Sequence, residues 1–425
     1  VAAEVARALG RRPLFLEGHR PPAGLAPLLL LRELLPVYTF ELAPGERASA
    51  PAIPFYDGPL VCICAGEGLV DCGLRPGAAF SWAAPIPPPA ERAALWRRAL
   101  GQGHDAAELA RQRHSAGRIA ELGRLARYHA SMGGRAEPVA DDVRRATRGS
   151  ALGLEALAQP LPDEIPDAAL VAPAALRAEL ELLRARCLAR DGLADALGLG
   201  ARARYTPGVR ALFCGPSGTG KTLAAGWLAT ALGLPLFRVD LASVTSKYIG
   251  ETEKNLAELL ARAERAGVVL LFDEADSLFG KRTDIKDAND RFANAQTNYL
   301  LQRIESFDGI AILTSNGRGR FDSAFARRLD AIIEFPPPDS AERAALWACH
   351  LGDAHALSEG QVAELALAAD LAGGHIRNAA LTAAVLAAAE RRPVAFADVL
   401  RGVAVEYAKL GRQLPAGLWP AGGAP

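Results

Sequence analysis

Along the second half of the chain, short apolar runs alternate with stretches whose apolar residues recur at helical spacing. Arg210–Cys214, Leu236–Asp240, Val268–Phe272, Ile310–Thr314 and Ala331–Phe335 are runs of strand length. Compact apolar segments bounded by turn residues predict buried strands. The first run leads into a glycine-rich turn and then a helix from about Lys221 to Leu232. Such alternation predicts an α/β fold, a parallel sheet with helices on both faces. After Phe335-Pro336-Pro337-Pro338-Asp339 the pattern becomes helical Ala/Leu periodicity over 340–410, with a stop near Gly411. The Gly/Pro-rich tail, 411–425, is expected to be disordered.

The same order of segments occurs twice. Pro85–Ala90 runs into Glu91-Arg92-Ala93-Ala94-Leu95-Trp96, as Phe335–Asp339 runs towards Glu342-Arg343-Ala344-Ala345-Leu346-Trp347. Ala8-Leu9-Gly10 precedes Pro13-Leu14-Phe15, as Ala231-Leu232-Gly233 precedes Pro235-Leu236-Phe237. Two paired segments in one order predict an internal duplication. The expected domains are an α/β module at 1–90, its helical lid at 91–150, a connector at 151–205, a large α/β domain at 206–338 and a second lid at 339–410. Pro160, Pro162 and Pro166 interrupt the connector, and Ala174–Leu193 reads as one helix.

Composition narrows the class. Of 425 residues half are apolar and 23% charged, and Lys+Arg equals Asp+Glu at 48 each, so the formal net charge is zero. Neutrality removes the global electrostatic footprint of a nucleic-acid coat, and nucleic acid is not an expected partner. The apolar run Leu25–Leu31 ends at Arg32, far short of the ~20 residues of a membrane span. Six cysteines in so long a chain are no disulfide framework, which points to a reduced, cytoplasmic setting. Cys62, Cys64 and Cys72 cluster loosely, but a structural zinc wants four ligands and no fourth is near, so apolar packing is expected. Only six of the basic residues are lysine, and five of them fall between Lys221 and Lys286.

That stretch holds the candidate chemistry. Gly215-Pro216-Ser217-Gly218-Thr219-Gly220-Lys221-Thr222 satisfies the pattern Gly, four residues, Gly-Lys-Ser/Thr, between a predicted strand and a predicted helix. Glycines there let backbone N–H groups turn towards phosphate oxygens at the positive end of a helix. Lys221 would reach the β- and γ-phosphates, and the Thr222 hydroxyl would join a Mg²⁺ shell. Val268–Phe272 ends in Asp273 and Glu274, 51 residues beyond Thr222. Asp273 would hold Mg²⁺ through water, and Glu274 would polarise the attacking water as general base. Ile312-Leu313-Thr314-Ser315-Asn316 ends another apolar strand in an amide able to hold that water.

Together with Asp322-Ser323-Ala324-Phe325-Ala326-Arg327-Arg328-Leu329, this series resembles the AAA branch of the AAA+ ATPases over roughly residues 205–410. The resemblance implies a P-loop NTPase that binds and hydrolyses ATP with Mg²⁺, Asn316 as sensor 1, and a homo-oligomeric ring, a hexamer. It also implies that Arg327 and Arg328 act on the neighbouring subunit's nucleotide. Such an arginine is worth ~10³–10⁵ in rate. Gly374-His375-Ile376-Arg377 fits the form of a sensor 2, with Arg377 near the γ-phosphate. Ser246-Lys247-Tyr248-Ile249-Gly250-Glu251 resembles the first pore loop of AAA translocases, with Lys247, Tyr248, Ile249 and Gly250 lining a channel. Leu278–Arg282, Asp287 and Gln302–Glu305 resemble a bacterial subgroup that accompanies phage-tail-like contractile injection systems.

The first half reads as a degenerate AAA-like module. Aligned by the duplication, residue 1 falls after the place of a phosphate loop, Leu42 stands opposite Glu274, and Ala120 stands opposite Arg377. A leucine cannot polarise water. Two functions follow from the resemblance. One is a ring that remodels a protein substrate or an injection-system component; the other is a nucleotide-dependent assembly switch that threads nothing. A helicase or clamp loader fits worse, because no arginine-rich arm with stacking aromatics is present.

Overall fold

Three short apolar runs of the first half pair side by side as parallel strands: β1 (Arg12–Leu16), β2 (Leu34–Phe40) and β4 (Val61–Cys64), in the order β1-β2-β4. The computed structural model describes residues 2–16, 20–40, 42, 46–64, 68–73, 80–82, 84–101, 105–149, 154–161, 164–203, 205–240, 251–276, 300–317, 326–353, 355–415 and 418. The chain forms two compact units, Val1–Ile86 with Lys247–Ala261, and Pro87–Ser246 with Arg262–Pro425.

In the first unit, helices α1 (Ala2–Ala8) and α2 (Leu25–Leu31) accompany the three strands. One face of α2 is packed, with Leu25, Ala26 and Leu29 joining Tyr38 and Phe40 in a small core, while Leu28, Leu30 and Leu31 of the same run are exposed. A second, two-stranded sheet pairs β3 (Arg47–Ser49) with β5 (Leu69–Asp71). Leu42 packs against this core and lies against Gly68, an apolar contact with no proton to move.

The second unit opens with a lid of helices: α3 (Pro89–Leu100), the short α4 (Ala106–Leu109), α5 (Ala116–Met132) and α6 (Ala140–Gly149). The connector follows, and here the sequence misled. Rather than a broken linker before its helix, it contributes β6 (Ala158–Leu161), antiparallel to a strand of the main sheet. Pro160 is tolerated because β6 is the sheet edge, where a missing N–H breaks no second ladder. Helix α7 (Ala174–Ala189) comes next, then the short turns α8 (Leu193–Ala196) and α9 (Leu199–Arg202).

The main sheet is completed by β7 (Val209–Cys214), β8 (Leu236–Val239), β9 (Val269–Phe272), β10 (Ile310–Ser315) and β11 (Ala331–Glu334). Its order is β11-β7-β10-β9-β8-β6, all parallel except β6. Every residue of β7, β9 and β10 is buried, which explains their unbroken apolar runs rather than alternation. Helix α10 (Lys221–Leu232) follows β7, and α11 (Glu251–Ala266) precedes β9. Helices α12 (Ser340–Leu351), α13 (Glu359–Ala368), α14 (Gly373–Ala389) and α15 (Phe396–Lys409) form the C-terminal lid. The described part of the expected disordered tail departs from that reading: Leu414 and Leu418 pack into the lid core, with Leu418 only 1% exposed.

The two lids repeat each other in detail. Trp96 and Trp347 are both fully buried, and both indole N–H groups lack a hydrogen-bond partner among the described residues. Arg92 donates from Nε to the Ala110 carbonyl and from Nη1 to Pro87; Arg343 donates from Nε to Ala366 and from Nη1 to Pro338. Each arginine pins the proline block to the end of the second lid helix. Their remaining partners differ. Arg92 pairs with Asp191 at the end of the connector helix, whereas Arg343 reaches the exposed Asp370 of its own lid.

A buried aspartate heads the last helix of each lid. Asp142 accepts from Arg135 and the Val139 N–H, as Asp398 accepts from Arg392 and the Ala395 N–H at 2.9 Å. The Arg392 hydrogen bond holds the Asp398 carboxyl down to about 2, from an ordinary 3.8. A depressed carboxylate stabilises the fold above its unfolded pKa and loses that contribution as pH falls through the folded one. Asp398→Asn should therefore lower lid stability by about 1–2 kcal/mol at neutral pH, with the gap narrowing from pH 4 towards pH 2. Denaturant midpoints of the two proteins across that range check this.

Candidate functional site

The C-terminal ends of β7, β10 and β9 lie side by side, and each delivers one predicted site segment there. Register fixes the arrangement: Ser315 pairs with Cys214, and Leu313 pairs with Phe272. In open parallel sheets, ligands bind beyond the carboxyl ends of the strands.

β7 ends in Cys214, and the Gly215–Thr222 loop turns directly into α10. Gly215 has φ +153° and lies so close to Phe335 that a Cβ would enter its carbonyl oxygen. The Phe335 N–H in turn donates to the Cys214 carbonyl at 2.7 Å, so the strand end and the start of the loop are held together. Gly218, at φ +81°, packs against Ala372 and Gly374 of the lid. Thr219 braces the loop by donating to the Pro216 carbonyl at 2.9 Å. Pro216, Ser217 and Gly220 complete the turn, with Gly220 as the left-handed N-cap of α10.

Lys221 is the first residue of α10 and is 8% exposed. Its Nζ donates to the carbonyls of Gly215 at 2.6 Å and Pro216 at 2.8 Å, folding the ammonium back over its own loop. Burial lowers its pKa, while the charges of Asp273, Asp276 and Glu274 pull the other way. Thr222 is exposed one residue further on. These two side chains and the loop amides stand together at a helix N-terminus, the kind of place where backbone N–H groups can hold phosphate oxygens.

Asp273 and Glu274 leave β9 in a turn, Glu274 with a left-handed φ of +52°. Thr314 of β10 joins the two: its hydroxyl donates to Asp273 Oδ1 at 2.6 Å and accepts the Glu274 N–H at 3.0 Å. Its own carbonyl takes the Ala275 N–H at 2.8 Å. Thr314 is 1% exposed, so this tie is shielded from water. The result is a buried hold on the backbone of an exposed glutamate. Asn316, exposed, follows β10 directly, with Ser315 bonded across it to Gly317. Sequence reasoning gave Thr314 no role; the available signal was a hydroxyl within an otherwise apolar strand.

Arg327 and Arg328 lie at the other end of the sheet. Both precede β11, whose first residue Ala331 pairs with Ala211 near the start of β7. Asp330 fastens that end by accepting from the backbone and Nε of Arg210, the latter at 2.8 Å. β7 rises ~3.3 Å per residue, so its ends are about 16–20 Å apart. Both arginines are exposed, and Arg328 pairs with Glu305 at 3.1 Å. Neither is brought to the phosphate loop of its own chain.

The lid meets the loop through backbone. Gly374, at the start of α14, donates its N–H to the Gly218 carbonyl at 2.9 Å. His375, also unassigned by sequence reasoning, follows it, and its Nδ1 lies 2.8 Å from Oε2 of Glu406, a buried carboxylate also held by Lys409. Arg377 sits in the next turn, bonded to the Asn378 side chain, and it helps to lower the His350 pKa after burial. No contact joins Arg377 to the phosphate loop among the described residues. Lys247, Tyr248, Ile249 and Gly250 lie outside the described residues, as do Leu278–Arg282 and Asp287.

The donor set suits a magnesium nucleotide. Thr222 and Asp273 offer the hard oxygens that Mg²⁺ prefers, beside a loop whose glycines leave room for phosphate. Mg²⁺ ordinarily keeps several waters and substrate phosphates as ligands, so two protein oxygens suffice for such a site. No helix among the described residues is long and apolar enough to cross a membrane.

Residues 211–337 match the ATPase family associated with various cellular activities (AAA). Over 132 residues the chain is 40% identical to the uncharacterized AAA family ATPase y4kL of Sinorhizobium fredii, 31% of this chain and 39% of that one. It is 34% identical over 171 residues to human vacuolar protein sorting-associated protein 4A, 38% of each chain. It is 30% identical over 189 residues to 26S proteasome subunit RPT4 of Saccharomyces cerevisiae, 43% of each. The chain thus spans about two fifths of the length of these relatives. Residues 211–337 are an AAA-family ATPase domain.

Proposed function

We propose that this chain is an ATP-driven remodelling ATPase whose copies assemble head to tail in a ring, a hexamer, and act on a protein partner. The observation that carries the reading is the separation within one chain. The cradle, Asp273 and Glu274 share one end of the sheet, while Arg327 and Arg328 occupy the other. Arg327 or Arg328 can serve such a cradle only from another copy.

In this mechanism the loop amides and Lys221 bind the β- and γ-phosphates, and Thr222 with Asp273 would hold Mg²⁺. The bound ion would supply charge neutralisation of the phosphates. Thr314 fixes Asp273 and the Glu274 backbone together, so the general base and the metal-holding carboxylate keep one spacing. Asn316 and Glu274 position the attacking water, and Glu274 takes its proton. Arg327 or Arg328 from the neighbour stabilises charge on the transferred phosphoryl group. The Gly374–Gly218 hydrogen bond links loop occupancy to the lid.

The first half acts in this reading as a degenerate copy without chemistry. Its strand order β1-β2-β4 parallels β8-β9-β10, its lid repeats the C-terminal lid, and Leu42 replaces the base. Remodelling is supported by relatives such as vacuolar protein sorting-associated protein 4A and RPT4. Service to a contractile injection system rests on the sequence likeness at 278–282, 287 and 302–305.

Tyr248→Ala tests the remodelling itself. A threading ring keeps its ATPase rate and loses its action on the protein partner. If that action survives the substitution undiminished, the chain is a nucleotide-dependent assembly switch instead.

A further inference from the structure

Within the second unit a cavity of about 470 Å³ lies between the first lid, the connector and the α10–β8 turn. Arg190, just after α7, lines it and is only 8% exposed. Its guanidinium makes one hydrogen bond, from Nη1 to the Asp308 carbonyl at 3.3 Å, and no ion pair among the described residues. The carboxylates beside it are committed elsewhere. Asp191 pairs with Arg92 and, at 2.5 Å, with Arg113, while Asp308 pairs with Arg113 at 2.9 Å. Arg92, Arg113 and Arg190 thus share two carboxylates, and one positive charge is left over. His114 does not change the balance: burial, with Arg118, Arg92 and Arg190 nearby, holds it down to about 3, so its ring is neutral. Burial pushes the Arg190 pKa down, and Arg113 adds to the push, against the pull of Asp191 and Asp308. A guanidinium keeps its proton in a protein, so burying one without a counter-charge is costly.

A second surplus lines the same cavity. Arg144 and Arg148 of α6 share the single carboxylate of Glu164, at 3.8 and 2.9 Å. Arg184 of α7 is balanced by Glu181 at 2.7 Å. Around α4 the lining adds Asp105, Glu108 and Arg111, all exposed. The walls from α6, α7 and the connector therefore carry two cations in excess, and those around α4 carry carboxylates.

We propose that this cavity binds a small organic phosphate, a monoester whose phosphate head is held by Arg190 with Arg144 and Arg148. Such a head carries about −1.5 to −2 at neutral pH, which matches the surplus on those walls. The planar fork of Arg190 fits two phosphate oxygens at once. The volume falls in the range of small-molecule pockets and leaves room for a body beyond the head. Asp105 and Glu108 offer acceptors for hydroxyl groups on that body. The site is separate from the Gly215–Thr222 loop: it meets α10 at Gly226, Ala229 and Thr230, whereas the loop feeds the first turn of that helix.

The test is equilibrium dialysis of inorganic phosphate against the full chain at constant ionic strength. Lys221→Ala serves as the reference protein, so that binding at the phosphate loop is weakened. We expect saturable phosphate binding in that reference, displaced by methyl phosphate. Adding Arg190→Met should weaken it about 10–10²-fold, the worth of a hydrogen bond to a charged group. Because Arg190→Met also removes the surplus buried charge, its unfolding midpoint without phosphate should be no lower than the reference. Arg190→Lys keeps the charge but loses the fork, so its phosphate affinity should fall between the two; it decides the matter where Arg190→Met does not fold. No saturable binding in Lys221→Ala, binding that methyl phosphate fails to displace, or binding unchanged by the Arg190 substitutions would each overturn the proposal. A lowered midpoint in Arg190→Met with undiminished phosphate binding would make the arginine a structural strut and overturn it too.

Discussion

Glu274→Gln binds ATP as tightly as the unsubstituted chain and turns it over about 10²–10⁴-fold more slowly, the contribution of a positioned general base. The substitution keeps size and hydrogen bonding but removes the carboxylate that accepts water's proton. The fold tolerates it because the position is held by backbone: the Glu274 N–H is anchored on Thr314, and the side chain is exposed. The proposed nucleotide site is a separate segment, the Gly215–Thr222 loop after β7, with β10 between it and β9. A fluorescent-nucleotide titration paired with phosphate release separates the two effects. Loss of both together would show that Glu274 builds the site rather than working in it.

Lys221→Ala acts on the other quantity. The ammonium is the buried cation at the loop, now satisfied by the Gly215 and Pro216 carbonyls. On binding, those two hydrogen bonds are exchanged for contacts to phosphate oxygens. Hydrogen bonds to charged groups are worth about 1.5–3 kcal/mol each. Two such contacts, offset by the two lost carbonyl bonds, leave an expected weakening of about 10²-fold in ATP affinity. Unchanged affinity by the same titration would place the triphosphate elsewhere.

Much of this architecture could be read from the residues because the physics is local. Arg210–Cys214, Val268–Phe272 and Ile310–Thr314 became β7, β9 and β10 within a residue or two, since strands buried on both faces must be apolar throughout. The phosphate loop was legible because glycine is required wherever the backbone turns to left-handed angles or presses on Phe335. β6 was not legible. Its prolines argue against a strand unless the edge position is known, and that position depends on β8, some 75 residues later. Leu414 and Leu418 were lost for a similar reason: two leucines in a Gly/Pro-rich tail carry no period, and only the lid groove gives them a place.

The site divides along the same line. Residue types at strand ends announced Asp273, Glu274 and Asn316, whereas the Thr314 tie depends on β10 lying next to β9. The distance from Arg327 and Arg328 to their own loop is a property of sheet direction, which no local pattern displays.

That distance supports the strongest test. Glu274→Gln subunits retain Arg327 and Arg328 but have no base; Arg327→Ala/Arg328→Ala subunits retain the base but lend no guanidinium. Each preparation alone should be nearly inactive. Mixed in equal amounts, they should regain a substantial fraction of the parent ATPase rate, because an intact base then faces an intact arginine at some junctions between copies. A mixture as inactive as its two components would contradict a site shared between neighbouring chains.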